Sequence, residues 1–479
     1  MGRVRRWVLG VTTAGLLVAA AREVHWAFTA QPSSDRTHVR AARLLAGSGR
    51  DEARDQWDEF EAACDMFGRA RSMVILKYGG GRPDSAPSGW PEAAPWPVPL
   101  SVVKARTADS ASRDLARNLV ADLCDPMVGS TLDGIAEPPR CVRPLDGEVA
   151  RLIDVRFPEL TTGREMGLAW VAKMHLAAES GGVEDLAWWY RRSIKVANIQ
   201  SQQPTLIDRL VSDAVFDEAT EAARLIASRD GLSPATLDAM IASTRAMADI
   251  PLPTRAMKCE RLSVLDTLRS LHDENGRCIP TRVDALTRMS QGETAAEPSE
   301  WMNLLWWRYP SLELTVARAE EHFRVIAEAA ASEPHARLAE PARLEMALET
   351  QARPADRVLR LLLPALGHFI ARTDRSTCMR RATLVLLEVE RYRAEHGRPP
   401  ASLDELGVSL PKDPYSGLDF GYFIPRPSAD PRPYLLYTVG VDGVDNEGAE
   451  ATDREQAFRS GRGVTGIDFV FNAKPGRSK

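Results

Sequence analysis

Little in this chain announces a chemistry. It has no Gly-x-Ser-x-Gly elbow, no Walker loop and no His-Glu-x-x-His pair, which removes the hydrolases, nucleotide-binding proteins and zinc peptidases that carry those local signatures. Basic charge is not in surplus: 61 Lys and Arg face 66 Asp and Glu, for a net charge of -5. A nucleic-acid partner, which needs a basic face, is therefore not expected. None of the six cysteines lies in a CxxC pair and the eight histidines are scattered, which argues against the common zinc modules. No repeat of fixed period runs along the chain, so a regular solenoid is not expected. An enzyme whose site assembles from distant positions stays open, because such a site leaves no local mark.

What is present begins at the N-terminus. Arg3, Arg5 and Arg6 precede an apolar run from Trp7 to Ala21. Basic residues in front of such a run keep that end in the cytoplasm and send the bulk across the membrane. The run is the length of a signal-peptide core, with Ala19-Ala20-Ala21 as a cleavage site, but His25-Trp26-Ala27-Phe28 extends its apolar character and offers an interfacial anchor. The expectation is a single-pass inner-membrane protein with an extracytoplasmic bulk, the alternative being secretion after cleavage. An oxidising compartment leaves two readings for the cysteines. Cys124 with Cys141 and Cys259 with Cys278 would close short disulfide loops, or all are buried free thiols.

With 479 residues, 44% of them hydrophobic and 27% charged, the chain is globular and long enough for two or three domains. The reading along it is mainly α. Residues 1–30 are the signal anchor or signal peptide, and 31–100 a helical segment with a Pro-rich linker. Residues 101–352 are a multi-helix extracytoplasmic domain, and 353–479 a small α+β unit. Apolar residues at i, i+3 and i+4 place helices near Ala105–Leu123, Arg164–Ala178, Glu184–Ile199, Thr205–Ser228 and Ser233–Met247. Ser233-Pro234 marks one helix start, a cap followed by a first-turn proline. Two aromatic clusters, Trp188-Trp189-Tyr190-Arg191-Arg192 and Trp306-Trp307-Arg308-Tyr309, are expected to turn one indole inward and the other to a groove or interface, since neighbours on a helix diverge. His272-Asp273-Glu274-Asn275 reads as a solvated helix end.

The last unit is the most informative. An amphipathic helix over Thr377–Glu395 stops at Gly397, with Pro399 and Pro400 beyond. Ser402-Leu403-Asp404-Glu405 reads as a capping box and Asp413-Pro414-Tyr415-Ser416-Gly417 as a turn. Phe420–Ile424, Tyr434–Val439 and Ile467–Phe471 read as short strands. A long helix packed on a small antiparallel sheet is an α+β unit.

In that order these motifs resemble the globular half of the type II secretion major pseudopilins. The match is carried by Tyr392, Gly397, Pro399, Leu410, Pro411, Asp413, Pro414, Gly440, Asp442, Gly443 and Asp468, and covers under a fifth of the chain. The resemblance implies a calcium ion held by the Val439 carbonyl and the Asp442 and Asp468 side chains, with Asp445, Asn446 and Glu447 nearby to complete the shell. It also implies a structural or assembly role, through self-assembly or a protein partner. The chain departs from the family in three ways: its loop from Gly443 to Gly466 is longer than the family norm, so the remaining ligands do not align; it lacks the prepilin-peptidase signature; and about 350 residues separate its anchor from the module. The expected function is a membrane-anchored extracytoplasmic structural or assembly protein with a pseudopilin-like end. The alternative is a cell-envelope hydrolase with its site in the helical domain.

Overall fold

The computed structural model describes residues 22–32, 56–78, 110–136, 141–143, 157–180, 185–228, 232–248, 254–290, 300–337, 365–426, 430–450 and 468–472, with a few single positions between these runs. The chain is mainly helical with one small antiparallel sheet. The helices are α1 (Trp57–Tyr78), α2 (Ser110–Leu123), α3 (Pro126–Gly134), α4 (Pro158–Ser180), α5 (Leu186–Ser201), α6 (Leu206–Ala227), α7 (Pro234–Arg245), α8 (Thr254–Ser270), α9 (Pro280–Ser290), α10 (Leu312–Ala331) and α11 (Ala365–His396). A 3₁₀ segment, Glu300–Arg308, precedes α10. No helix among the described residues is long and apolar enough to cross a membrane. The apolar run over 7–21 and the Pro-rich linker over 87–99 lie outside the described residues.

The capping signals act locally as their chemistry requires. Ser233 Oγ accepts from the Thr236 amide at 3.1 Å with Pro234 at the first helical position. Thr205 and Ser311 cap α6 and α10 in the same way. Helices α4, α5 and α6 pack on one another, and α11 lies along α6 and α7. The α4–α6 approach needs a glycine: a Cβ on Gly167 would stand 2.6 Å from a Val215 methyl.

A single apolar cluster runs from α1 through α7 into the second half of α11 and onto the sheet, joining Phe60, Trp170, Phe216, Leu386, Tyr434 and Phe471. A second cluster gathers α8, α10 and the start of α11 around Leu268, Phe323 and Phe369. The sheet has strands β1 (Gly421–Phe423), β2 (Leu435–Thr438) and β3 (Phe469–Val470), in the order β1-β2-β3 and antiparallel throughout. Tyr422 pairs with Leu436, and Tyr437 with Val470.

Three expectations are corrected. Of the two readings of the cysteines, the disulfide one is overturned and the buried-thiol one holds: all six are free and buried. The Cys141 thiol donates to the Gln56 carbonyl at 3.2 Å, and burial pushes Cys124 and Cys278 up to about 12. Second, His272 is not at a solvated helix end but fully buried. The 272–278 segment folds back on itself around Asp273, whose Oδ1 accepts from the Asn275 and Arg277 amides at 2.9 and 2.8 Å. Third, the capping box is only half made. Ser402 makes no side-chain cap, and Glu405 reaches back to the Ala401 amide instead.

Each aromatic cluster does turn one ring outward. Trp188 is 37% exposed, while Trp189 stacks on buried Trp170 at 5.3 Å. The arginine beside them does not reach for solvent: Arg192 is buried, lies over the Trp188 ring and grips Asp133 with its Nε at 3.0 Å.

Candidate functional site

The site implied by the sequence falls on the loop between β2 and β3, and the geometry there starts at Asp413. The turn after Leu410-Pro411 delivers Asp413 into the interior, where it is 1% exposed. Its carboxylate accepts from Thr438 Oγ1 at 2.8 and 2.9 Å, from the Tyr415 amide at 3.0 Å and from the Val439 amide at 3.4 Å. Burial raises its pKa and these donors oppose the rise. Asp413 thus fastens the end of β2, and with it the point where the loop begins.

The loop then turns tightly. Gly440, Gly443 and Gly448 have φ of 71°, 67° and 74°, and Glu447 shares the left-handed region at 56°. Asp442 Oδ1 accepts from the Val444 amide at 3.1 Å, and Asp445 Oδ1 from the Glu447 amide at 2.8 Å and the Tyr437 hydroxyl at 3.0 Å. Asp468 enters from the other side, just before β3. Its amide bonds the Ala449 carbonyl at 2.9 Å, and its Oδ2 accepts from the Gly448 and Asn446 amides at 2.8 and 3.0 Å.

Asp468 is 1% exposed, and its Oδ1 is buried with no hydrogen-bond partner. Burial raises the carboxyl above its ordinary range, the Gly448 and Asn446 amides and the Asn446 side chain lower it, and Asp445 raises it again. Asp445, Glu447 and Asp468 together also push the Tyr437 phenol upward, behind burial and its bond to Asp445. The loop is therefore an acidic turn with one buried carboxylate oxygen that no hydrogen bond reaches. Oxygen donors of this kind suit a hard cation such as calcium.

All four expected ligands belong to this loop or its closing strand, yet their side chains are not gathered onto one point. No group of three or more His, Cys, Asp or Glu among the described residues is arranged to hold a metal. Asp442 and Asp445 each spend an oxygen on the loop's own amides, while Asp468 keeps one uncommitted. Sequence reasoning missed Asp413 as the organiser of the loop entrance. It also missed Tyr437, whose position one residue before Thr438 on β2 is the signal that could have found it.

Elsewhere, a concavity of about 320 Å³ lies between α4, α6 and α11, lined by Arg164, Asp217, Glu218, Arg224 and Arg375 among others. Asp217 Oδ1 is buried without a hydrogen-bond partner, and burial pushes the carboxyl up to about 6 against the pull of Arg375. No histidine, cysteine or hydroxyl side chain lines this groove among the described residues.

Comparison of the chain with family models, with curated proteins and with solved structures returns no match.

Proposed function

We propose that the chain is a membrane-anchored extracytoplasmic structural or assembly protein whose C-terminal unit is a pseudopilin-like docking module stiffened by calcium. The observation that carries the reading is the buried, unpartnered Oδ1 of Asp468 inside a glycine-turned acidic loop. A buried carboxylate oxygen left unpaired is costly, and a cation at that point removes the cost. The Asp468 side chain and the Val439 carbonyl, with Asp442 and Asp445, are the groups that would hold it. The protein's part is to fix the loop through Asp413 and Thr438, so that the ion orders an already formed turn.

Two measurements test this. Millimolar calcium is expected to raise the melting temperature of the full chain relative to chelator, and Asp468→Asn to abolish the rise. An unchanged melting temperature sinks the calcium part. In-cell crosslinking of the tagged protein is expected to give a ladder of multiples or one discrete heavier band, whereas an uncrosslinked monomer removes the assembly role.

The groove beside Asp217 favours a second reading, a cell-envelope hydrolase using a carboxylic acid poised near neutral pH. A panel of chromogenic glycosides and esters, tried with wild type and Asp217→Asn, decides it. Turnover lost in the variant supports the reading, and no turnover by wild type ends it.

A further inference from the structure

The segment 22–29 is helical and follows directly on the apolar run over 7–21. It does not stand free of the body. Glu23 accepts from Trp306 Nε1 at 3.0 Å and from Arg277 Nη1 at 3.2 Å. Trp26 Nε1 donates to Asp273 at 2.7 Å, and Asn303 Nδ2 to the Ala27 carbonyl at 2.7 Å. Arg277 lies 4.8 Å over the Trp306 ring, and Phe28 meets Trp301 edge-on at 4.7 Å. The 3₁₀ segment 300–308 is thus bound along this short helix, so it must follow wherever residues 7–21 lead.

These two short segments also hold an unusual share of the apolar surface. Val24, Phe28, Trp301, Leu305 and Trp307 are exposed, the last two tryptophans by 58% and 66%. They are five of the fifteen exposed large hydrophobic residues among those described, gathered on 17 residues (8 in the helix, 9 in the 3₁₀ segment). Indoles exposed beside a membrane entry point suit the headgroup level, where an amphipathic ring meets both phases. Arg22 and Arg308 are exposed there too, and their guanidinium groups can pair with lipid phosphates.

We infer that the 300–308 segment is a second membrane contact, placing Trp307 and Arg308 at the headgroup level of the bilayer that residues 7–21 enter. The inference rests on the membrane-anchor reading. It has a direction. Trp306 meets Glu23 and Trp301 meets Phe28, five helical positions apart, or about 8 Å at 1.5 Å per residue. Trp307 therefore lies at the end where the apolar run joins, and Trp301 farther from it. A reference point distant from the segment is also defined. Helix α10 starts just after this segment and spans 20 residues, about 30 Å. Beyond its far end the His335 ring lies close to Gly417, where an added Cβ would stand 3.1 Å from Nδ1. Gly417 is therefore held about a helix length from the 300–308 segment.

The test uses the full chain in vesicles of phosphatidylcholine with a minor fraction of phosphatidylglycerol. Trp307→Cys, Trp301→Cys and Leu418→Cys are labelled with a nitrobenzoxadiazole thiol probe. Leu418 is 70% exposed beside Gly417 and serves as the distant control. The six native thiols are buried, so a variant that misfolds takes up more than one label and is recognised. Lipid carrying a headgroup nitroxide is expected to quench the probe at 307 several-fold more than at 418, with 301 between them. Equal quenching at 307 and 418 in protein that still floats with the vesicles overturns the inference and leaves the anchor reading intact. Protein that does not float overturns both.

Discussion

Buried carboxylates are neutralised in two ways in this molecule, by arginines between the helices and by dipoles in the loops around the sheet. In the body, Asp213 is fully buried between α6 and α11 and is met by cations: Arg209 Nε at 3.0 Å and Arg380 Nη1 at 3.2 Å, both arginines 1% exposed. Thr373 adds a hydroxyl at 3.2 Å. Asp374 is met likewise by buried Arg337, whose Nε stands at 3.1 Å. In the C-terminal unit, Asp413 and Asp468 have no arginine among the partners described above and are held by amides and one hydroxyl. Full charges suit helices, whose own amides are already committed within the helix. Turns have amides to spare, and dipoles suffice there. Within the C-terminal unit the contrast is confined to Asp413 and Asp468, since Arg432 meets Asp430 at 2.6 Å and Glu450 at 3.3 Å.

The comparison breaks most sharply at Asp213. Asp213→Ala leaves two buried guanidinium groups without their shared counter-ion, and is expected to cost about 3–5 kcal/mol in urea unfolding. Arg380 already has its pKa pushed down to about 10, by burial first and then by Arg209, so the pair resists sharing the pocket without a carboxylate. A loss below about 1 kcal/mol would mean that water enters and that the centre behaves as a surface pair.

Asp413→Ala removes a carboxylate whose partners are dipoles, and a smaller loss is expected, about 2–3 kcal/mol. The Thr438 hydroxyl and the Tyr415 and Val439 amides lose their acceptor, and the loop loses its fixed entrance. The calcium response of the melting temperature is expected to fall with it. A variant that keeps the full calcium shift would separate the loop from Asp413.

How much of this could be read beforehand depends on how local each determinant is. Helices α2 and α4 to α7 are legible because one apolar stripe specifies each. The Ser233 cap and the Asp413-Pro414-Tyr415-Ser416-Gly417 turn are legible because their bonding partners lie within four residues. Asp413 as an organiser was not, because Thr438 is 25 residues away. His272 was misjudged for the same reason. Its polar neighbours suggest solvent, but Nδ1 meets the Leu268 carbonyl at 2.7 Å and Nε2 faces that of Pro310, 38 residues on. The disulfides failed because closeness in sequence does not orient two thiols toward each other: Cys141 turns to Gln56. The four loop residues can be named from sequence, but which of them keeps an oxygen uncommitted follows only from where the amides of Asn446 and Gly448 point.

The smallest expected effect sharpens the comparison from within the helical body. Asp217 is a carboxylate there that its cations do not fully meet, since burial outweighs Arg375 and the nearby Asp213 adds to the rise. Its pKa goes from 3.8 up to about 6 on folding, so the folded state holds this proton more tightly than the unfolded one. The corresponding stability is fully present below pH about 4 and is lost as pH rises through about 6. At 1.36 kcal/mol per unit the loss is about 1–3 kcal/mol. Asp217→Asn, which cannot ionise, is expected to unfold at higher urea than wild type at pH 8 and at nearly the same urea at pH 4. A variant equally destabilised at both values would show that the ionised carboxylate is held by its arginines as firmly as Asp213, and the body would then follow one rule without exception.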